Sequence, residues 1–125
     1  MNALVIDDSK AMRTILRGIL VKLGFQVLEA ADGREAIEQM ELYTDITLAL
    51  VDWNMPVMNG FDFIQEIRSS NAHDATKLMM VTTEAEMDSV IAALEAGADE
   101  YLMKPFTTEA ILEKLEILGI KTEEN

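Results

Sequence analysis

Short, continuous apolar runs alternate along the chain with segments whose hydrophobic residues recur at steps of three and four. Ala3-Leu4-Val5-Ile6 is the first run, and it stops at Asp7-Asp8. Met12, Ile15, Leu16, Ile19, Leu20 and Leu23 then fall on one face of a helix. Ser9 is placed to cap its first turn, and Gly24 to end it. Phe25 to Ala30 reads as a second strand. Asp32-Gly33-Arg34-Glu35 has capping-box spacing and opens a helix carrying Ala36, Ile37 and Met40. Ile46 to Val51 is nearly apolar throughout, as expected of a parallel strand covered by helices on both faces. After Asn59-Gly60, the residues Phe61, Ile64 and Ile67 predict a third helix with those side chains inward. Leu78 to Val81 predicts a fourth strand, and Tyr101 to Met103 a short fifth. Between them, Met87, Val90, Ile91 and Leu94 form a helical stripe stopped by Gly97. Ile111, Leu112, Leu115 and Leu118 mark the last helix, with Thr107 or Thr108 near its cap. Strands alternating with helices to the end predict an α/β fold, an open, doubly wound five-stranded parallel sheet flanked by five helices.

A length of 125 residues fits one domain. Residues 1–120 are expected to form it, 121–125 a short tail, and no output domain is expected. Cysteine is absent, which excludes disulfides, zinc–thiolate sites and cysteine nucleophiles. The net charge of −13 repels phosphate backbones and anionic lipid, so nucleic acid and membrane surfaces are poor partners. No apolar run approaches the ~20 residues of a membrane span, and a cytoplasmic protein is expected. Acids crowd the region from Glu84 to Leu118, where only Lys104 and Lys114 are basic.

Ligands of such sheets bind at the carboxyl ends of the strands. There the chain places Asp7 and Asp8, then Asp52, then Thr82 and Thr83, then Lys104. Carboxylates this close raise one another's pKa, and a hard divalent cation bound through oxygen, best magnesium, is their natural counter-ion. A carboxylate can attack a phosphoryl group to give an acyl phosphate, and Asp52, ending the central strand, is the best placed nucleophile. Lys104 and the Thr82 hydroxyl can then stabilise charge on the phosphoryl oxygens.

These residues sit in Asp52-Trp53-Asn54-Met55-Pro56-Val57-Met58-Asn59-Gly60, in Val81-Thr82-Thr83-Glu84, and in Ala96-Gly97-Ala98-Asp99-Glu100-Tyr101-Leu102-Met103-Lys104-Pro105-Phe106. With Asp7-Asp8 they resemble a response-regulator receiver domain from Leu4 to about Leu118, and most resemble its stand-alone chemotaxis members. The resemblance implies the flavodoxin-like strand order 2-1-3-4-5 and a cis Lys104-Pro105 junction. It makes Asp52 the phosphoacceptor, Asp8 a direct Mg2+ ligand, Asp7 a holder of metal waters, and the Asn54 backbone carbonyl a further ligand. Thr82 and Tyr101 would be switch residues, and Lys104 the partner of the phosphoryl group. Thr83 and Glu84 would border access to the acyl phosphate and so bear on self-dephosphorylation.

The implied protein is not an enzyme in the ordinary sense, catalysing only its own phosphorylation and dephosphorylation. It would be a monomer that takes phosphate from a sensor histidine kinase and docks on a protein such as a flagellar motor switch protein. A phosphatase is a possible further partner. A phosphorelay intermediate serving a histidine-phosphotransfer protein is the nearest alternative. An aspartyl-phosphate hydrolase is disfavoured, because Asn54 stands where the leaving group needs an acid. A flavin or dinucleotide carrier is disfavoured by Ile6-Asp7-Asp8-Ser9, which lacks a glycine-rich phosphate loop. His73, the one histidine, is expected to be exposed in the loop from Ser69 to Thr76. Trp53 is expected at the rim of the site, and Met55, Met58 and Met87 near partner-contacting surfaces.

Overall fold

The computed structural model describes residues 1–123, so the last two residues of the expected tail lie outside the described residues. Five strands form one sheet: β1 (Asn2–Ile6), β2 (Gln26–Ala30), β3 (Ile46–Asp52), β4 (Lys77–Thr82) and β5 (Glu100–Met103). Every pairing is parallel, in the order β2-β1-β3-β4-β5. Five helices connect and cover it: α1 (Lys10–Lys22), α2 (Gly33–Leu42), α3 (Gly60–Arg68), α4 (Met87–Ala96) and α5 (Thr108–Ile117). A single 3₁₀ turn, Glu84–Glu86, precedes α4. Among the described residues, no helix is long and apolar enough to cross a membrane.

Strand side chains alternate between faces, so a sheet covered on both sides needs apolar residues at every position. Leu4, Ile6, Ala49 and Val51 lie in one core with Met40, Phe63, Ile64 and Ala93 from α2, α3 and α4. Ala3, Val5, Leu48 and Leu50 lie in the other with Leu16, Leu20, Ile111 and Leu115 from α1 and α5. The caps expected at Ser9, Asp32 and Thr107 are present, and Asn59 adds another. Ser9, Asn59 and Thr107 accept from the backbone N–H groups of Met12, Asp62 and Ala110. Asp32 accepts from the Glu35 N–H, but the Glu35 carboxylate reaches back to the N–H of Ala31 rather than of Asp32.

Several inward assignments are corrected. Ile15, Ile91 and Leu94 are 52%, 64% and 40% exposed. In α4 the residues facing the sheet are Val90 and Ala93. At about 100° per residue, Ile91 falls on the far side of the Val90–Ala93 line, and the small alanine lets the helix lie close to the strands. In α3 the buried aromatic is Phe63, while Phe61 is half-buried against Trp53, with ring centroids 5.8 Å apart. His73 is half-buried rather than exposed, and its carbonyl accepts from the Arg68 guanidinium. The start of the tail is tied down, since the Glu123 N–H donates to the Leu23 carbonyl.

β1 connects outward to β2 on one side, while β3 lies on its other side, so the topological switch point falls between β1 and β3. That is where a ligand crevice is expected.

Candidate functional site

Asp7 follows β1, Asp52 and Thr82 are the last residues of β3 and β4, and Lys104 follows β5. The strands are parallel and adjacent, so these side chains arrive at one edge of the sheet. One carboxylate oxygen from each of Asp7, Asp8 and Asp52 lies within 4.8 Å of the others. Asp7 and Asp52 are buried, and Asp8 is exposed at the rim. Lys104 Nζ is 3.3 Å from Asp52 Oδ1 and 3.9 Å from Asp7 Oδ2.

The backbone fixes these acids in place. The Ser9 N–H donates to Asp7 Oδ1 at 2.8 Å, while the Arg13 guanidinium donates to the Asp7 carbonyl and to Glu29. Gly60 packs so close beneath the end of β3 that a Cβ there would collide with the Asp52 carbonyl and stand 3.2 Å from Trp53 Cα. Only glycine permits that approach.

Electrostatically the cluster is unbalanced. Burial, then the charge of Asp7, pushes Asp52 up from an ordinary 3.8 to about 6, against the opposing pull of Lys104. Burial likewise raises Asp7, partly offset by the Ser9 N–H. Asp7 Oδ2 is a buried oxygen that, among the described residues, accepts no hydrogen bond. A buried acceptor without a partner is costly, and an oxygen-loving cation is the ligand such a set would take.

The other side of the site is closed by a residue the sequence reading did not single out. Glu86 Oε1 accepts from the Thr83 N–H and hydroxyl at 3.1 and 3.0 Å, and from the Thr82 hydroxyl at 3.4 Å. Its Oε2 accepts from Asn54 Nδ2 at 2.6 Å. Thr83-Glu84-Ala85-Glu86 has capping-box spacing, and that was the available signal. Glu84 is exposed in the same turn. Tyr101 is half-buried against the core beside α4, with Lys114 Nζ 4.3 Å above its ring and 3.0 Å from Glu100. Lys104-Pro105 is cis.

Between Asp52 and α3, the Met58 N–H donates to the Pro56 carbonyl at 2.6 Å across Val57, whose φ is +66°. Such a three-residue turn is strained in a β-branched residue. Val57 is 79% exposed and has little packing to lose. Val57→Gly, which has no Cβ, is therefore expected to stabilise the fold by about 1 kcal/mol, read as a higher urea midpoint. A midpoint equal to the wild type would show that the turn carries no such cost.

The profile of the response regulator receiver domain matches residues 3–116. The chain belongs to the response-regulator receiver family. This receiver is 43% identical over 119 residues to the chemotaxis protein CheY1 of Helicobacter pylori, covering 94% of this chain and 96% of that one. It is 42% identical over 121 residues to a chemotaxis protein CheY homolog of Campylobacter jejuni, covering 95% and 93%. Among solved structures, the Vibrio cholerae chemotaxis protein CheY4 superposes with a TM-score of 0.84 at 34% identity, covering 93% and 96%. The chain is thus a CheY-like receiver domain, a member of a family of signalling proteins, and its acidic cluster could hold a metal ion.

Proposed function

We propose that this receiver accepts a phosphoryl group on Asp52 and signals by phosphorylation-controlled docking, most plainly in chemotaxis. The observation that carries this reading is the Asp52 carboxylate at the end of β3, joined to Lys104 and sharing its edge with Asp7, Asp8 and Thr82. A sensor histidine kinase is the proposed donor. An Asp52 oxygen attacks phosphorus, the P–N bond of the donor phosphohistidine breaks, and the leaving imidazole takes up a proton. Near neutral pH Asp52 is ionised, and its raised pKa makes it the more basic nucleophile. Lys104 stays beside the acceptor and faces the charge that arrives there.

Asp7, Asp8, Asp52 and the Asn54 backbone carbonyl are the residues that would hold Mg2+. The buried, unpartnered Asp7 oxygen and the three converging carboxylates fit that ion. When bound, it would supply positive charge to the site and relieve the repulsion among the acids. Thr82 would follow the phosphoryl group, with Tyr101 moving after it, and Thr83 and Glu84 would govern the access of water.

The proposed output surface combines α4, β5 and α5. It is acidic, with Ile91, Leu94 and Ile117 exposed among the charges. A partner such as a flagellar motor switch protein would meet it with basic residues around an apolar centre. An auxiliary phosphatase is a further candidate partner. The working unit is proposed as a cytoplasmic monomer, with residues 1–120 as its receiver domain.

Incubation with magnesium and a small acyl-phosphate donor should add one phosphoryl group by intact mass, and Asp52→Asn should add none. A gain that persists in Asp52→Asn would sink this reading.

A further inference from the structure

We infer that Glu86 is a positioning residue whose carboxylate bridges Asn54 to the Thr82-Thr83 pair across the site and holds the switch threonine in its unphosphorylated setting. This role rests on Asp52 being the phosphoacceptor. Two loops meet at this one side chain. Asn54 belongs to the segment after β3, and Thr83 to the segment after β4, so no backbone hydrogen bond of the sheet joins them. The Asn54 contact, at 2.6 Å, is short and charge-assisted.

Thr82 is buried, and its single hydroxyl proton has two acceptors within reach, Glu86 Oε1 and the Thr83 carbonyl, both at 3.4 Å. A threonine at a strand end has only a few χ1 wells. Turning Oγ1 toward Asp52 takes it away from Glu86. A phosphoryl group brings about −2 of charge to Asp52, and the Glu86 carboxylate then faces like charge across Asn54. The Asn54 amide and the Thr82 hydroxyl gain a competing acceptor at the same moment. Phosphorylation therefore opens the bridge, and Glu86, the last residue before α4, carries that release to the helix start. By linkage, a contact that phosphorylation must break also resists phosphorylation.

The test compares the full-length wild type with Glu86→Ala and Glu86→Gln in magnesium and a small acyl-phosphate donor. Phosphoryl gain is followed by intact mass, and the Asn54 side-chain amide signals by NMR without donor. Glu86→Ala should gain phosphate about fivefold faster and shift the Asn54 signals. Glu86→Gln keeps the length but only one of the two acceptor oxygens, so its rate and its Asn54 signals should fall between those of the alanine variant and the wild type. A merely structural role would move neither the Asn54 signals nor the rate in this graded order. If Glu86→Ala does not fold, Asn54→Ala removes the other end of the bridge and should give the same acceleration. Wild-type phosphorylation with no acceleration in the folded variant overturns this role alone. A wild type that gains no phosphate overturns the phosphoacceptor reading and this role with it.

Discussion

With a chelator present and near neutral pH, Asp52→Asn is expected to be more stable than the wild type by about 3 kcal/mol. The carboxylate rises from 3.8 to about 6 on folding, chiefly through burial, and each pKa unit is worth about 1.4 kcal/mol. Because the folded protein holds this proton more tightly than the unfolded chain, the stabilisation is present below pH ~4. It is lost as pH rises from about 4 through about 6, where folding requires an ionised, buried group. Asparagine is close to the protonated side chain in shape and does not ionise. Urea midpoints should therefore fall across that window in the wild type and fall less in the variant, where Asp7, raised in the same direction, still contributes. Magnesium should recover much of the difference in the wild type, by binding only the folded cluster, and change Asp52→Asn far less. Equal midpoints for the two proteins in chelator would show that the acids are not in conflict.

That conflict is legible in the sequence, because three carboxylates at adjacent strand ends can be read from where the apolar runs stop. The strands themselves were legible for the same reason. A run such as Leu48 to Val51 has one interpretation once helices are expected on both faces. Helix faces were less so. Steps of three and four fit Ile91 and Leu94 as well as Val90 and Ala93, and only the packing of α4 on the sheet decides between them. Glu86 is less legible than Glu84, which directly follows the Thr82-Thr83 pair. A charged side chain on a polar turn carries no periodic signal, and its partner Asn54 lies 32 residues away. Lys114 appeared only as one of two bases in an acidic stretch, whereas the fold sets it over the Tyr101 ring.

Arg68 is the clearest case of an importance invisible in the sequence, and Arg68→Ala is expected to cost about 3 kcal/mol. Its guanidinium, at the end of α3, donates to the carbonyls of Gly97, His73 and Thr76 and to Asp99 Oδ2, at 2.7–3.1 Å. Asp99 Oδ2 also accepts from the Leu78 N–H. One side chain thus ties α3, the loop before β4 and the α4–β5 turn together. Gly97 completes the fit, since its φ is +122° and a Cβ there would lie 2.5 Å from Arg68 Cγ. Truncation leaves the part-buried carbonyls of Gly97, His73 and Thr76 without this donor, while Asp99 keeps the Leu78 N–H and its exposure to water. Arg68→Lys should recover less than half of the loss, because one ammonium cannot reproduce a planar fork aimed at four acceptors. Unfolding in urea checks both numbers, and a lysine variant as stable as the wild type would reduce Arg68 to a simple charge. The knot gathers around Leu78, at the opening of β4, while Thr82 and Asp52 lie at the far ends of their strands. Phosphoryl gain should therefore persist in Arg68→Ala under conditions where it stays folded, which separates what holds this fold together from what lets it signal.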